Sequence, residues 1–251
     1  MFRLRLPALV GCVLALGAFS VQAQDADLKA VLKKAIDAHG GEAKMTKFSG
    51  VTAKFKGTIQ LLGQARDIAG ENSVQRPDKL KSALTLDING MQIPIVVVYD
   101  GKKMWRSVMG KTEEIKDEKA LTEMRQGLLL EGGATFVDFL KAPYELSALG
   151  EVKVKGKDAI GIHISKKGQR DISYFFDKAT HLVVKSEARV HDEISNQEVT
   201  QEKFIIGYRD TDGLKAGARV VIHKDGKEFM DIEITETKMF EKLDDATFAM
   251  P

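Results

Sequence analysis

A succession of short segments, each alternating between apolar and polar residues and each ended by a turn dipeptide, constrains the fold of this chain more than any other feature. Within residues 79–88 the leucines point one way, while lysine, threonine and aspartate point the other. Such a period of two is typical of a β-strand with one buried face. Asn89-Gly90 follows, a pair that favours a tight hairpin turn with positive φ at both central residues. The pattern predicts an antiparallel hairpin whose return strand covers residues 91–99.

The same rhythm continues towards the end of the chain. Asp100-Gly101 and Met109-Gly110 mark turns around two further strands that end at Ile115. Pro94 removes one ladder hydrogen bond from the return strand, but residues 95–98 are so rich in β-branched side chains that a strand is still predicted there. Later strands are predicted at residues 151–155, 157–165, 170–176, 182–190, 198–208, 217–223 and 227–240.

Helical patterns flank and interrupt these strands. An apolar stripe with helical spacing consists of Leu28, Val31, Leu32, Ala35 and Ile36. His39-Gly40-Gly41 ends that helix, because glycine readily adopts the left-handed conformation. Residues 117–131 and 134–141 are predicted as two more helices, separated by Gly132-Gly133. No linker divides the chain, so residues 24–251 are predicted to form a single domain.

A long antiparallel sheet twists and curls, and its concave apolar face must then be filled. The expected fold class is therefore mainly β with some α: a long curved antiparallel sheet with short helices covering the concave face. Helices this short fill the face only in part, which leaves room for a pocket. Such a pocket suits acyl chains, because burying each methylene stabilises by about 0.8 kcal/mol. The alternative is that these side chains pack only on one another, and alternation alone leaves both open.

The first 23 residues have the pattern of a secretory signal peptide. Arg3 and Arg5 precede an apolar stretch over residues 6–19, and Val21-Gln22-Ala23 suits a cleavage site. A periplasmic or secreted protein is therefore expected. Two alternatives stay open. One is an uncleaved membrane anchor, although the apolar run is short for a span; the other is processing and acylation at Cys12, since residues 9–12 resemble a lipobox.

Composition excludes some functional classes. Arg3 and Arg5 are the only charged residues in the signal, so the mature chain carries 36 basic and 36 acidic residues. A nucleic-acid-binding protein normally has a basic excess, so no nucleic-acid partner is expected. Cys12 is the only cysteine, and the mature chain would lack both disulfides and thiol chemistry. We expect a monomer without a membrane-spanning segment in the mature chain.

Four segments, in order along the chain, resemble the LolA-like superfamily of outer-membrane lipoprotein-sorting proteins. They are Ala38-His39-Gly40-Gly41, the hairpin from Tyr99 to Trp105, the strand–turn–strand from Ser173 to Lys185, and the closing segment from Leu243 to Pro251. The resemblance implies an unclosed half-barrel with helices as a lid, a periplasmic location, and non-catalytic binding of lipid or lipoprotein acyl chains. Arg66 and Arg76 are the candidates for the arginine that latches the lid in that superfamily.

Motifs of catalysis and metal binding are incomplete. Gly110-Lys111-Thr112 lacks the upstream glycine of a phosphate-binding loop, because that position is Trp105. The stretch around Asp210-x-Asp212-Gly213 lacks the calcium-loop ligands at its first and twelfth positions. The histidines show no zinc spacing, and there is no G-x-S-x-G motif. We therefore expect no catalytic residue, metal or cofactor, although a hydrolase triad assembled through space stays open.

Seven residues are predicted to line the pocket or form its lid: Trp105, Leu84, Leu86, Val96, Leu128, Phe136 and Phe139. Trp105 is the only tryptophan and lies in a hairpin beside the expected mouth, although it can equally be a core anchor. The expected partners are lipid or lipoprotein acyl chains. The alternative function is an envelope sensor or interaction module that uses the same fold to bind a protein partner.

Overall fold

The computed structural model describes residues 17–192 and 195–251, with side chains described from residue 27. The predicted signal peptide lies outside the described residues, apart from the backbone of residues 17–23, and Cys12 lies outside them as well. The strands are β1 (Gly50–Leu61), β2 (Gln64–Gln75), β3 (Lys79–Ile88), β4 (Met91–Tyr99), β5 (Met104–Val108), β6 (Lys111–Ile115), β7 (Glu145–Val154), β8 (Lys157–Ser165), β9 (Ile172–Asp177), β10 (Val183–Asp192), β11 (Gln197–Thr211), β12 (Leu214–Lys224) and β13 (Lys227–Phe240).

All thirteen strands form one antiparallel sheet in the order β6-β5-β4-β3-β2-β1-β13-β12-β11-β10-β9-β8-β7. Strands that follow each other along the chain pair as hairpins, except β6 and β7, which form the two edges of the sheet. The first and last strands, β1 and β13, pair with each other in the middle of the sheet. Among the described residues the two edge strands do not pair with each other, so the sheet is not closed into a barrel. The predicted fold class is confirmed.

The turn dipeptides behave as their chemistry predicts. Asn89 and Gly90 have φ values of 54° and 86°, so both central residues of the β3–β4 turn occupy the left-handed region. The β12–β13 turn repeats this with φ values of 46° at Asp225 and 76° at Gly226. Pro94 lies inside β4 opposite Thr85, as predicted. The hairpin register therefore follows directly from the turns.

The two helices predicted for residues 117–131 and 134–141 are shorter than their sequence patterns. They are α1 (Gly17–Ala38), α2 (Glu42–Lys47), α3 (Glu118–Gly127), α4 (Phe136–Phe139) and a 3₁₀ helix (Asp245–Phe248). The single helix predicted for residues 117–131 ends at Gly127, and Leu130 N–H then bonds to the Gly127 carbonyl at 2.9 Å in a tighter turn. Sequence patterns did not predict α2.

The sheet is strongly curled. Leu80 of β3 and Met104 of β5 line one cavity together with Val190 of β10 and Gln201 of β11. Five strands separate β3 from β10, so a flat sheet would place them roughly 29 Å apart. We call the concave face, which carries these residues, the inner face and the opposite one the outer face. Bulges such as that between Lys54 and Phe55 increase local twist and bend the strands.

The helices lie on the inner face. Leu28, Leu32 and Ala35 of α1 are buried with Ile162 of β8 and Phe176 of β9, which confirms the helical stripe. At the other side of the sheet, Leu121 and Met124 of α3 pack against Leu80, Tyr99 and Met104. The helices therefore bridge the two sides of the curled sheet across its concave face.

Candidate functional site

The middle of the inner face is an apolar wall to which none of the described helical residues contributes a side chain. Five of its residues are buried and eight are half-buried, and all thirteen belong to strands. They are Phe55, Ile68, Leu86, Val220, Ile232, Ile59, Leu61, Leu84, Ile88, Ile93, Ile222, Met230 and Ile234. Half-buried aliphatic side chains on a concave face leave apolar area that a ligand can cover. We call this set the inner wall.

Two cavities lie between the inner face and the helices. The first, which we call the α3 cavity, has a volume of about 480 Å³. Its apolar lining includes Leu80, Met104, Met124, Leu130 and Val190.

At one end of the α3 cavity, the ammonium of Lys224 pairs with the Asp192 carboxylate. The backbone N–H of Ser195 donates to the same carboxylate at 2.8 Å and its hydroxyl at 2.7 Å. Burial alone would raise the pKa of Asp192, but the hydrogen bonds from Lys224 and Ser195 hold it at about 2. The polar end of this cavity is therefore internally satisfied.

The second cavity lies beside α4, has a volume of about 330 Å³, and is called the α4 cavity. Its lining combines apolar side chains with polar and charged ones: Met45, Phe48, Val51, Leu130, Ala134, Phe136, Tyr174, Leu214 and Met239, with Arg76, Lys203, Lys215, His39 and Glu131. Leu130 and Glu131 line both cavities and separate them. Lys203 of β11 holds this divider, since its ammonium lies 3.3 Å from the Leu130 carbonyl and 3.5 Å from the Glu131 carboxylate.

Aromatic packing fixes α4 in place. The Phe136 ring lies with its centroid 5.1 Å from that of His39, 5.3 Å from that of Tyr174 and 5.5 Å from that of Phe176. These edge-to-face contacts are favourable for aromatic rings. Thr135 begins α4 with a capping box, in which its N–H donates to the Asp138 carboxylate at 2.7 Å. Phe136 is only half-buried, so part of its ring faces the α4 cavity.

His39 joins α1 to the α4 cavity. It is 7% exposed, and its Nδ1–H donates to the Ala35 carbonyl at 2.7 Å. Its ring contacts Phe136 and, at 5.6 Å, Tyr208. Burial lowers the pKa of His39, and the bond to Ala35 offsets this only in part. The imidazole is therefore held neutral in an aromatic environment.

Polar contacts tie α3 to the β8–β9 loop. The Arg170 guanidinium lies 2.6 Å from the Glu123 carboxylate, with side-chain exposures of 12% and 27%. The Gln126 side chain accepts from the Arg170 backbone N–H and donates to the Gly168 carbonyl at 3.1 Å. Asp117 caps the helix by accepting from Ala120 N–H at 2.7 Å. These bonds fasten α3 over the α3 cavity.

The two candidate latch arginines differ. Arg66 lies at a hairpin tip, where it donates to the side-chain oxygens of Asn89 and Gln64. Arg76 lines the α4 cavity and donates from Nη2 to the carbonyls of Met45 and Phe48, beside α2. Arg76 is therefore the arginine placed at the junction of helices and sheet.

The structure divides the seven predicted site residues between the two faces. Leu84 and Leu86 belong to the inner wall, and Phe136 lines the α4 cavity. Leu128 and Phe139 lie beneath the helices, with exposures of 4% and 1%.

Trp105 and Val96 lie on the outer face. They pack with Val98, Leu243 and Phe248, under the C-terminal segment. Contact of Trp105 or Val96 with a ligand stays a prediction, and neither lines the two inner cavities.

Sequence reasoning singled out His39 and Arg76 but did not assign Lys203 or Tyr174 to the α4 cavity. The sequence pattern around Lys203 could have indicated its place, because this cation lies beside the apolar run Phe204-Ile205-Ile206. It is two residues before Ile205 and so points to the same face of the strand. Tyr174 was part of a recognised strand but was not assigned to the site.

One cluster on the outer face combines residue types that are used in catalysis. His163 lies with Nδ1 3.2 Å from the Ser173 hydroxyl and with Nε2 3.5 Å from the Asp171 carboxylate. These are the residue types of a hydrolase triad, but they lie on β8, on β9 and in the loop between them, and none of the three lines either inner cavity. Within residues 17–192 and 195–251, no group of three His, Cys, Asp or Glu side chains is placed to hold a metal ion. The helices in that part of the chain include none with the length and apolar character to cross a membrane.

No protein-family model and no curated protein matches the sequence. Solved structures match the fold. A DUF1329 family protein from Desulfovibrio piger superimposes with a TM-score of 0.55 at 14% identity, over 88% of this chain and 96% of its own. A domain named for outer membrane lipoprotein sorting, from Vibrio parahaemolyticus, superimposes with a TM-score of 0.54 at 10% identity, over 88% of this chain and 95% of its own. A LolA superfamily protein from Nitrosomonas europaea superimposes with a TM-score of 0.51 at 11% identity, over 88% of this chain and 96% of its own.

This is the LolA-like fold. The resemblance inferred from the four sequence segments is confirmed at the level of the fold. Helices α1, α3 and α4 pack against the concave face, and none of their described residues belongs to the inner wall.

Proposed function

We propose that this protein is an exported, non-catalytic binder or carrier of lipid or lipoprotein acyl chains in the cell envelope. The observation that carries the proposal is the inner wall, an aliphatic concave surface built only from strands, beside two cavities under a helical lid. Each methylene that moves from water onto such a surface stabilises the complex by about 0.8 kcal/mol before the costs of association. The LolA-like fold, shared with proteins named for lipoprotein sorting, supports the proposal.

Export rests on the pattern of residues 1–23. Cleavage after Ala23 would release a free periplasmic or secreted protein, whereas processing at Cys12 would leave an acylated, membrane-tethered one. The mass of the mature N-terminal peptide from the native host distinguishes the two, because cleavage after Ala23 places Gln24 first.

Native mass spectrometry of protein purified from its own envelope tests lipid binding. We expect bound species whose masses match acylated molecules and which organic extraction removes. Protein that is consistently empty, and that also fails to bind added palmitate, would overturn the proposal.

A matched pair of variants locates the site. Ile222 is half-buried in the inner wall, and Ile206 is a 39% exposed isoleucine on the outer face of the adjacent strand. Ile222→Ser should lower palmitate affinity, whereas Ile206→Ser should leave it unchanged. Equal losses in both variants would place the binding surface elsewhere.

The open sheet edges favour a second candidate, an envelope sensor or interaction module. Within the part of the chain that the structure describes, β6 and β7 each present an unpaired edge, to which an extended segment of a partner protein can add as a strand. A pull-down that recovers one stoichiometric envelope protein, without lipid, would favour this function over lipid carriage.

A further inference from the structure

Arg76 is a half-buried cation whose hydrogen-bonding capacity is only partly used. A guanidinium has five N–H donors. Only Nη2 has acceptors among the described residues, namely the Met45 carbonyl at 2.9 Å and the Phe48 carbonyl. Nη1 and Nε have none, although Arg76 lines the α4 cavity.

The charge around Arg76 is also uncompensated. No carboxylate among the described side chains, in residues 27–192 and 195–251, lies within ion-pair distance of it, and Asp138 attracts it only from farther away. Burial lowers the pKa of Arg76, which shows that its charge is partly desolvated. A buried charge without a partner is costly, so an anion at this position would stabilise the protein.

The other charged residues that line the α4 cavity leave the positive charge of Arg76 unopposed. Lys203 and Lys215 line it with Arg76, while Glu131 is the only carboxylate residue in the lining. Glu131 already pairs with Lys203, and Lys215 pairs at 3.3 Å with Asp210, outside the cavity. The remaining lining is mostly apolar, and Leu130 and Glu131 line both this cavity and the α3 cavity.

We propose that the α4 cavity binds the anionic head group, a carboxylate or a phosphate, of an amphiphile whose acyl chain lies along the inner face. This inference rests on the proposed function and specifies its ligand class. The N–H groups of Arg76 that have no acceptor can donate to two oxygens of one anion, because the guanidinium fork matches the geometry of a carboxylate or a phosphate.

Calorimetric titration of the delipidated mature protein with three probes of equal chain length tests the proposal. Palmitate and monohexadecyl phosphate carry anionic heads, and monopalmitoylglycerol carries a neutral one. We expect at least one anionic probe to bind about tenfold more tightly than the neutral probe, as one charge-assisted pair would give. The better of the two anionic probes identifies the head group.

Two variants assign the preference to a residue. Arg76→Gln should reduce the anionic-to-neutral affinity ratio to about one, while monopalmitoylglycerol still binds. Arg66→Gln is the matched control, because Arg66 lies at a hairpin tip outside the lining of both cavities and should keep the native ratio.

The outcomes separate the two proposals. Equal affinity of native protein for all three probes, or a native ratio in Arg76→Gln, would overturn the head-group site and leave acyl-chain binding intact. Failure of all three probes to bind would overturn the proposed function itself. The comparison of the three probes on the native protein needs no variant, so it tests the head-group site even if Arg76→Gln does not fold.

Discussion

Phe136 and Phe139 lie three positions apart in one short helix and have different environments. Phe139 is 1% exposed and packs with Tyr144, at 5.1 Å between ring centroids, and with the core under α1. Phe136 is half-buried and faces the α4 cavity. Phe139 is therefore part of the core, whereas Phe136 has a surface available to a ligand.

Truncation separates these roles. Phe139→Ala should lower the free energy of unfolding by about 3–5 kcal/mol, because it leaves a cavity in a well-packed core. Phe136→Ala should cost less in stability and more in ligand affinity. Urea denaturation measures the change in stability, and titration with palmitate measures the change in ligand affinity. Leu62→Ala is the control: Leu62 is 95% exposed, and a change above about 0.5 kcal/mol there would contradict this assignment of the core.

His39 should make stability depend on pH. Its pKa is lower in the folded protein, so the unfolded chain binds the proton more readily. Stability should therefore fall as pH decreases below about 6.5, the unfolded value, and continue to fall towards the folded pKa. Unfolding free energies measured from pH 7.5 downwards should show a smaller acid decrease for His39→Gln than for the native chain. Parallel curves would contradict this role.

Among the elements, the hairpins were predictable, whereas the face on which each strand places its side chains was not. Dipeptides such as Asn89-Gly90 and Asp225-Gly226 fix hairpins locally, and alternation then shows which residues share a face. Alternation does not show which face is concave, and so Trp105 and Val96 were grouped with Leu84 although they lie on opposite faces. The position of Arg76 beside α2 depends on contacts between distant segments, for which the sequence has no periodic signal.

The attachment of α3 should depend on one ion pair. Glu123→Gln removes the carboxylate that Arg170 contacts and should destabilise the protein by about 1.5–3 kcal/mol, because Arg170 is nearly buried. Hydrogen exchange of the α3 amides should accelerate more than that of β8. Glu113→Gln, which breaks the exposed pair with Arg106, is the control and should cost less than about 1 kcal/mol. Equal costs would show that α3 is not held by this contact.

At the scale of the whole molecule, the curl of the sheet creates the site. Bulges at Lys54/Phe55 and Ile222/His223 bend the strands, and Gly57 allows close approach of β13, since a Cβ there would lie 2.0 Å from the Asp231 carbonyl oxygen. The outcome is one inner surface shared by strands far apart in the sheet. The sequence predicted curling of a long sheet, but the depth of the concavity depends on these bulges and close contacts, which no local pattern specifies.

Isotope-filtered NOE spectroscopy of the delipidated protein, with labelled methyl groups and unlabelled palmitate, tests the central claim most directly. If the inner face holds the acyl chain, NOEs from the chain methylenes should reach methyl groups of the inner wall, such as those of Leu84 and Ile222. The methyl groups of Val98 and Val221, on the outer face, should receive none. NOEs confined to outer-face methyl groups, or their absence at saturating palmitate, would contradict the account.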